Sequence, residues 1–151
     1  MIYIHYGSDC FRPSEFLHVT NEGFWNKPCG GFWASPVGAK CGWSDWCESE
    51  GFTLDSFNSS FSFTLVPAAR VIHLYTSKDL DRMPCREDSS GLNRFLPDFE
   101  KMVKDGWDAI ELHLSSNEEN WYKNGLYWRL YGWDCDSILI MNPDIIVPLS
   151  A

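Results

Sequence analysis

A chain of 151 residues, 44% hydrophobic and 22% charged, has the make-up of one globular domain, residues 1–151, and excludes whole-chain disorder and fibrous classes. Its net charge of −9 opposes sequence-independent binding to nucleic acid or anionic membrane, because neutralising phosphate needs a dense basic surface. No run approaches the ~18 apolar residues of a membrane span, and residues 1–6 lack a basic, apolar leader, so a cytoplasmic protein with no membrane partner is expected.

Residues 2–6 alternate aliphatic and aromatic side chains before Gly7 and predict a short strand that delivers His5 and Tyr6 to its carboxyl end. Pro13 opens a helical turn. Residues 21–42 are punctuated by Gly and Pro and predict a long loop interrupted by a short strand at Phe32-Trp33-Ala34. Ser44 is placed to cap a short helix ending at Gly51, on which Trp43, Trp46 and Cys47 share a face. Two strands follow, residues 61–65 and 70–75. The stretch 78–94 interleaves Lys78, Arg82, Arg86 and Arg94 with acids and predicts a mixed-charge surface. Pro97 and Asp98 before Gly106 predict a helix, and 107–114 a strand. Ser116 is read as capping a helix that runs to Tyr122. Residues 126–131 and 137–141 are read as strand, Asn142-Pro143-Asp144 as a turn, and 145–147 as a last strand. Many short strands with a few short helices and no βαβ repeat predict an α+β fold of split mixed or antiparallel sheets.

Six Cys at 10, 29, 41, 47, 85 and 135 contain no Cys-x-x-Cys pair, so free thiols and no metal site are expected. The even count leaves disulfides open, and another alternative is that Cys29, Cys41 and Cys47 clip one loop to a metal. Asn58-Ser59-Ser60 reads as an ordinary polar turn.

Three segments combine polar groups with a restricted backbone. His5-Tyr6-Gly7-Ser8 brings an imidazole and a phenol out of a strand at a Gly turn. In Gly30-Gly31-Phe32-Trp33-Ala34-Ser35, glycine permits close approach of a ligand, Trp33 offers a stacking face and Ser35 a hydroxyl. Asp134 and Asp136, two apart before an apolar strand, are expected to share a face. Each segment also has a plain structural explanation: a bonded strand-end His, a Trp-filled loop, two solvated acids. No nucleophile elbow, Walker loop or Gly-rich dinucleotide fingerprint is present.

Taken in order, these segments resemble the ADP-ribosyltransferase fold, in particular its small bacterial and phage-type members. Trp107-Asp108-Ala109-Ile110 and the closing Asp136-Ser137-Ile138-Leu139-Ile140-Met141-Asn142-Pro143 add to the likeness. The family's acid is usually Glu; here Asp stands in its place, one methylene shorter. The resemblance implies a mono-ADP-ribosyltransferase, a glycosyltransferase-class enzyme that uses NAD as substrate. It further implies an effector, toxin or defence role. On this reading Asp136 stabilises the oxocarbenium-like transition state and Asp134 orients or deprotonates the acceptor. His5 holds a ribose, Ser35 bonds near the second, and Tyr6, Trp33 or Trp46 sandwiches nicotinamide. Gly31 lets backbone approach, and residues 21–30 close over the dinucleotide. A protein is the expected acceptor, with a small molecule or an RNA base entering past Lys27 or Arg12 as alternatives. The competing reading is a non-catalytic protein-binding module with an aromatic-rich surface.

Overall fold

A computed structural model describes residues 1–24, 26–52, 55–92, 94–116 and 125–149. Among the described residues the strands are β1 (Tyr3–Tyr6), β2 (Phe32–Pro36), β3 (Ser60–Leu65), β4 (Val71–Leu74), β5 (Cys85–Arg86), β6 (Leu96–Pro97), β7 (Ala109–Leu112), β8 (Ser137–Ile140) and β9 (Ile146–Pro148). The short α-helices α1 (Trp43–Ser49), α2 (Phe99–Lys104) and α3 (Gly125–Arg129) accompany them. Seven strands form one mixed sheet in the order β4-β7-β8-β2-β1-β3-β9, and β5 and β6 make a separate ribbon. Only β4 and β7 run parallel within the large sheet, with α2 in the crossover between them. The expected α+β class is therefore observed. No helix among the described residues is long and apolar enough to cross a membrane.

Strand alternation divides the core between the two sheet faces. Ile110, Leu112 and Leu139 pack on one side with Trp133, Phe99, Met102 and Leu126. Ala109, Ile138 and Ile140 pack on the other with Tyr3, Phe61 and Phe63. Both faces are covered at β7 and β8, whose residues are all buried, which explains why β8 reads largely as an apolar run rather than a half-buried ribbon. Truncating a side chain such as Phe63, which has no exposed surface, removes about 3–5 kcal/mol of stability.

Local chemistry sets the element ends. Asp98 caps α2 by accepting from the Lys101 backbone N–H, and Gly106 closes it at φ 82°. At α1 the cap is Gly42 rather than Ser44: the Gly42 N–H donates to Asp45 at 2.8 Å, and the Ser44 hydroxyl accepts from Tyr6 instead. Residues 125–129 are helix α3, where a strand is expected from 126. Leu126 and Leu130, four apart, both lie at 0% exposure, so the burial period is helical and overrides the aromatic β-preference of Tyr127 and Trp128. Of the helix expected from Ser116 to Tyr122, Ser116 ends the 3-10 turn Leu114–Ser116 and residues 117–122 lie outside the described residues.

Candidate functional site

The sheet parts at its centre. Strand β1 pairs with β2 only at Tyr3–Pro36 and Ile4–Ser35, while the other end of β2, residues 32–34, pairs with β8. Continued pairing would set His5 against Ala34 and Tyr6 against Trp33, but the strands diverge there. In place of a ladder bond, His5 Nδ1 lies 2.7 Å from the Trp33 carbonyl oxygen. A cavity of about 270 Å³ opens at this divergence. Strands β1 and β2 contribute His5, Tyr6, Trp33 and Ser35, α1 contributes Trp43, the segment before β8 contributes Gly132 and Asp134, and β8 itself contributes Ser137. Lys27 reaches it from the loop before β2.

The polar groups in this cavity are held in place. His5 is clamped between Phe32, whose ring centroid is 4.2 Å away, and Phe61 at 5.6 Å. Burial pushes its pKa down, against the weaker opposing effect of the Trp33 carbonyl. The neutral ring donates Nδ1–H to that carbonyl and leaves Nε2 as an acceptor. The Ser35 hydroxyl accepts from the Trp43 N–H at 2.9 Å, which fixes the start of α1 and keeps its own O–H proton for another partner. Tyr6 is held by Ser44 at 3.3 Å and by an edge contact with Phe57. Trp33 meets Trp133 edge-on at 4.7 Å, and the Trp133 indole N–H donates to the Asn26 carbonyl. The Lys27 ammonium sits 5.5 Å from the Trp33 ring centroid, so the cation rests on the aromatic wall.

Five of the eight residues singled out in the sequence, His5, Tyr6, Trp33, Ser35 and Asp134, line this one cavity. Three do not. Asp136 is 5% exposed and turned to Ser115, whose backbone N–H donates to it at 2.9 Å and whose hydroxyl donates to its other oxygen. The shared face expected for Asp134 and Asp136 assumes a strand, but β8 begins only at Ser137 and the chain bends before it. Gly31 stands at φ 77° with Leu139, Val19 and the Ile140 carbonyl where a Cβ would go. Its smallness serves packing against β8, not a ligand. Trp46 stacks on Trp43 at 5.2 Å and on Phe52 at 5.5 Å, outside the cavity, where it backs Trp43.

Other expectations resolve similarly. The three candidate metal-clip thiols do not converge: Cys29 is exposed, Cys41 half-buried and Cys47 buried. The loop expected to close over a ligand is fastened at its base. Thr20 and Cys29 bridge each other, and Asn21 bonds to Asp98, Glu100 and the Phe99 N–H of α2. Arg12 pairs with Asp9 and takes no part in the cavity wall, whereas Lys27 does. Trp43 is the wall residue that sequence reading assigned to a helix face without a role. Its signal is the spacing from Trp46, which stacks behind it. Ser137 carries no comparable signal, because a single hydroxyl at a strand start is common.

Compared with known proteins, the chain matches no family model, no curated protein and no solved structure. The functional reading rests on the site's own chemistry and on the motif resemblance.

Proposed function

We propose that the cavity receives the nicotinamide–ribose end of NAD and that the protein is a mono-ADP-ribosyltransferase acting on a macromolecular acceptor. The supporting observation is convergence: His5, Tyr6, Trp33, Ser35 and Asp134, chosen from three segments up to 129 residues apart in sequence, line one cavity. A volume of about 270 Å³ lies just below the usual ~300–1,000 Å³ of a small-molecule site, so it suits one end of a dinucleotide with the remainder along the open surface.

The chemistry needs a flat wall, a sugar ligand and a fixed negative charge. Trp33 and Trp43 supply the wall for a pyridinium ring. His5 Nε2 accepts from a ribose hydroxyl, and the Ser35 O–H donates. As the nicotinamide–ribose bond breaks, nicotinamide leaves with the bonding electron pair and the sugar carries positive charge at C1′. Asp134, the carboxylate on the cavity wall, stabilises that charge. The acceptor's nucleophilic atom then bonds C1′ and releases its proton, for which Asp134 is the base at hand. Asp134 thus takes the part first assigned to Asp136, and Asp136 holds the Leu114–Ser116 turn in place.

A protein remains the favoured acceptor for a chain of net charge −9. The test is release of nicotinamide and transfer of labelled ADP-ribose by the purified protein. Asp134→Ala lowers turnover at least about 100-fold with its melting temperature unchanged. Absence of nicotinamide release at saturating NAD with every candidate acceptor, together with no NAD-dependent stabilisation, overturns the reading. The second reading, a protein-binding module, draws on the exposed apolar side chains of Phe24, Leu92 and Trp128. It predicts a melting temperature indifferent to NAD, because a ligand at 100 times its Kd adds about 2.7 kcal/mol to the folded state.

A further inference from the structure

On the sheet face opposite Leu112, a buried carboxylate meets two imidazoles. Glu111 of β7 is 1% exposed and lies in register beside His73 of β4. His113 follows two residues after Glu111 on the same face. Glu111 Oε2 lies 3.2 Å from His73 Nδ1, Glu111 Oε1 lies 3.8 Å from His113 Nε2, and the two nitrogens are 3.2 Å apart. We propose that His73, Glu111 and His113 bind a divalent transition-metal cation, Zn²⁺ foremost, as a three-ligand site with an open fourth position.

Geometry is the first support. A tetrahedral Zn²⁺ with bonds of ~2.0–2.1 Å holds its donor atoms about 3.3 Å apart; here one donor atom from each of the three residues lies within 4.8 Å of the other two, Nδ1 being 3.2 Å from both Oε2 and Nε2 and the second oxygen 3.8 Å from Nε2, so a turn of the carboxylate closes the set on an ion. The second support is an unmet need. Glu111 Oε1 is fully enclosed and has no hydrogen-bond partner among the described residues, although Oε2 accepts from the Tyr3 hydroxyl at 3.0 Å. Leaving one oxygen of an enclosed carboxylate bare is costly, and a cation between the three donors removes that cost. The nearer imidazole does not meet this need, because at 3.8 Å His113 Nε2 is too far to hydrogen-bond Oε1.

The surroundings fit a ligand set rather than a chance contact. Tyr3 orients the carboxylate from β1, in the manner of the outer hydrogen bonds that fix metal ligands. Tyr75 stacks on His113 with ring centroids 4.2 Å apart and planes within 5°, which fixes the ring that carries Nε2. His73 is the half-exposed member and gives the cation its way in. Two His and one carboxylate with an open position is a ligand set that zinc uses where it binds water or substrate. The site lies on the other sheet face from Trp33 and Trp133, so it does not depend on the proposed NAD reaction.

The experiment is calorimetric titration of the metal-free protein with Zn²⁺, repeated with Co²⁺ while recording its visible absorption. We expect one Zn²⁺ per chain, a tetrahedral-type Co²⁺ spectrum, and at least about 100-fold weaker binding in Glu111→Gln and in His73→Ala. His18→Ala, at an exposed position elsewhere, keeps wild-type affinity. Because Glu111 is buried, far-UV circular dichroism is recorded for each variant. If Glu111→Gln fails to fold, His73→Ala at its half-exposed position decides the matter. No binding tighter than ~100 µM overturns the assignment, and so does binding that survives His73→Ala undiminished.

Discussion

Removing Asp136 separates a structural carboxylate from a catalytic one. Asp136 accepts two hydrogen bonds from Ser115, one from the backbone N–H at 2.9 Å and one from the hydroxyl. A hydrogen bond to a charged group contributes about 1.5–3 kcal/mol, and Ser115 is only partly buried, so the pair is worth about 2–4 kcal/mol. In a domain of this size each kcal/mol moves the melting temperature by about 2–4 °C, so Asp136→Ala melts about 5–15 °C lower. Asp134→Ala, at a half-exposed cavity position, stays within ~0.5 kcal/mol of wild type. Urea and thermal unfolding of both variants, with Ser115→Ala completing a double-mutant cycle for Asp136, measure this directly. The cycle gives a coupling of about 1–3 kcal/mol between Asp136 and Ser115. Wild-type stability in Asp136→Ala with lost NAD turnover refutes the reasoning and returns the charge-stabilising part to Asp136.

Three more outcomes follow from the same geometry. Gly31→Ala forces a left-handed backbone on Ala and sets its Cβ 2.5 Å from Leu139 Cδ1, for a combined loss of about 2–5 kcal/mol, while NAD affinity of the folded fraction is unchanged. Unfolding curves and titration well below the melting temperature check the two halves. Burial lowers the His5 pKa, so the folded state binds fewer protons than the unfolded chain. The stability this contributes is full above the unfolded value of about 6.5 and is lost as pH falls towards the folded one; His5→Gln therefore loses less stability than wild type between about pH 7 and 5. In the native protein, Ellman's reagent reacts with exposed Cys10, Cys29 and Cys85 ahead of Cys135, whose thiol burial pushes up to about 12, and Cys41, pushed up to about 11. Mass mapping of early adducts reads the order.

How far the sequence carried the account depends on the range of each signal. Alternation within a strand is local, so Phe61 and Phe63 on β3 and the apolar run of β8 were legible, as was the cap and Gly stop of α2. Five residues at 125–129 are too few to separate a helical from an extended period, and only the joint burial of Leu126 and Leu130 decides it. Five cavity residues were legible because each stands beside a turn or a strand end, where backbone geometry is constrained. The division of labour between Asp134 and Asp136 was not, since it turns on a bend before β8 and on Ser115, which lies 21 residues upstream. The His73, Glu111 and His113 grouping needs the parallel register of β4 with β7, a non-local pairing that carries no local motif. Its one visible trace is Glu111 two residues before His113, both on the face of β7 where Ala109 precedes them as an apolar residue.

The most direct measurement is a crystal structure of the protein with bound NAD. The account predicts the nicotinamide ring against Trp33 and Trp43, a ribose within hydrogen-bond distance of His5, and the Asp134 carboxylate beside C1′. A dinucleotide bound elsewhere, or an empty cavity at saturating NAD, contradicts it.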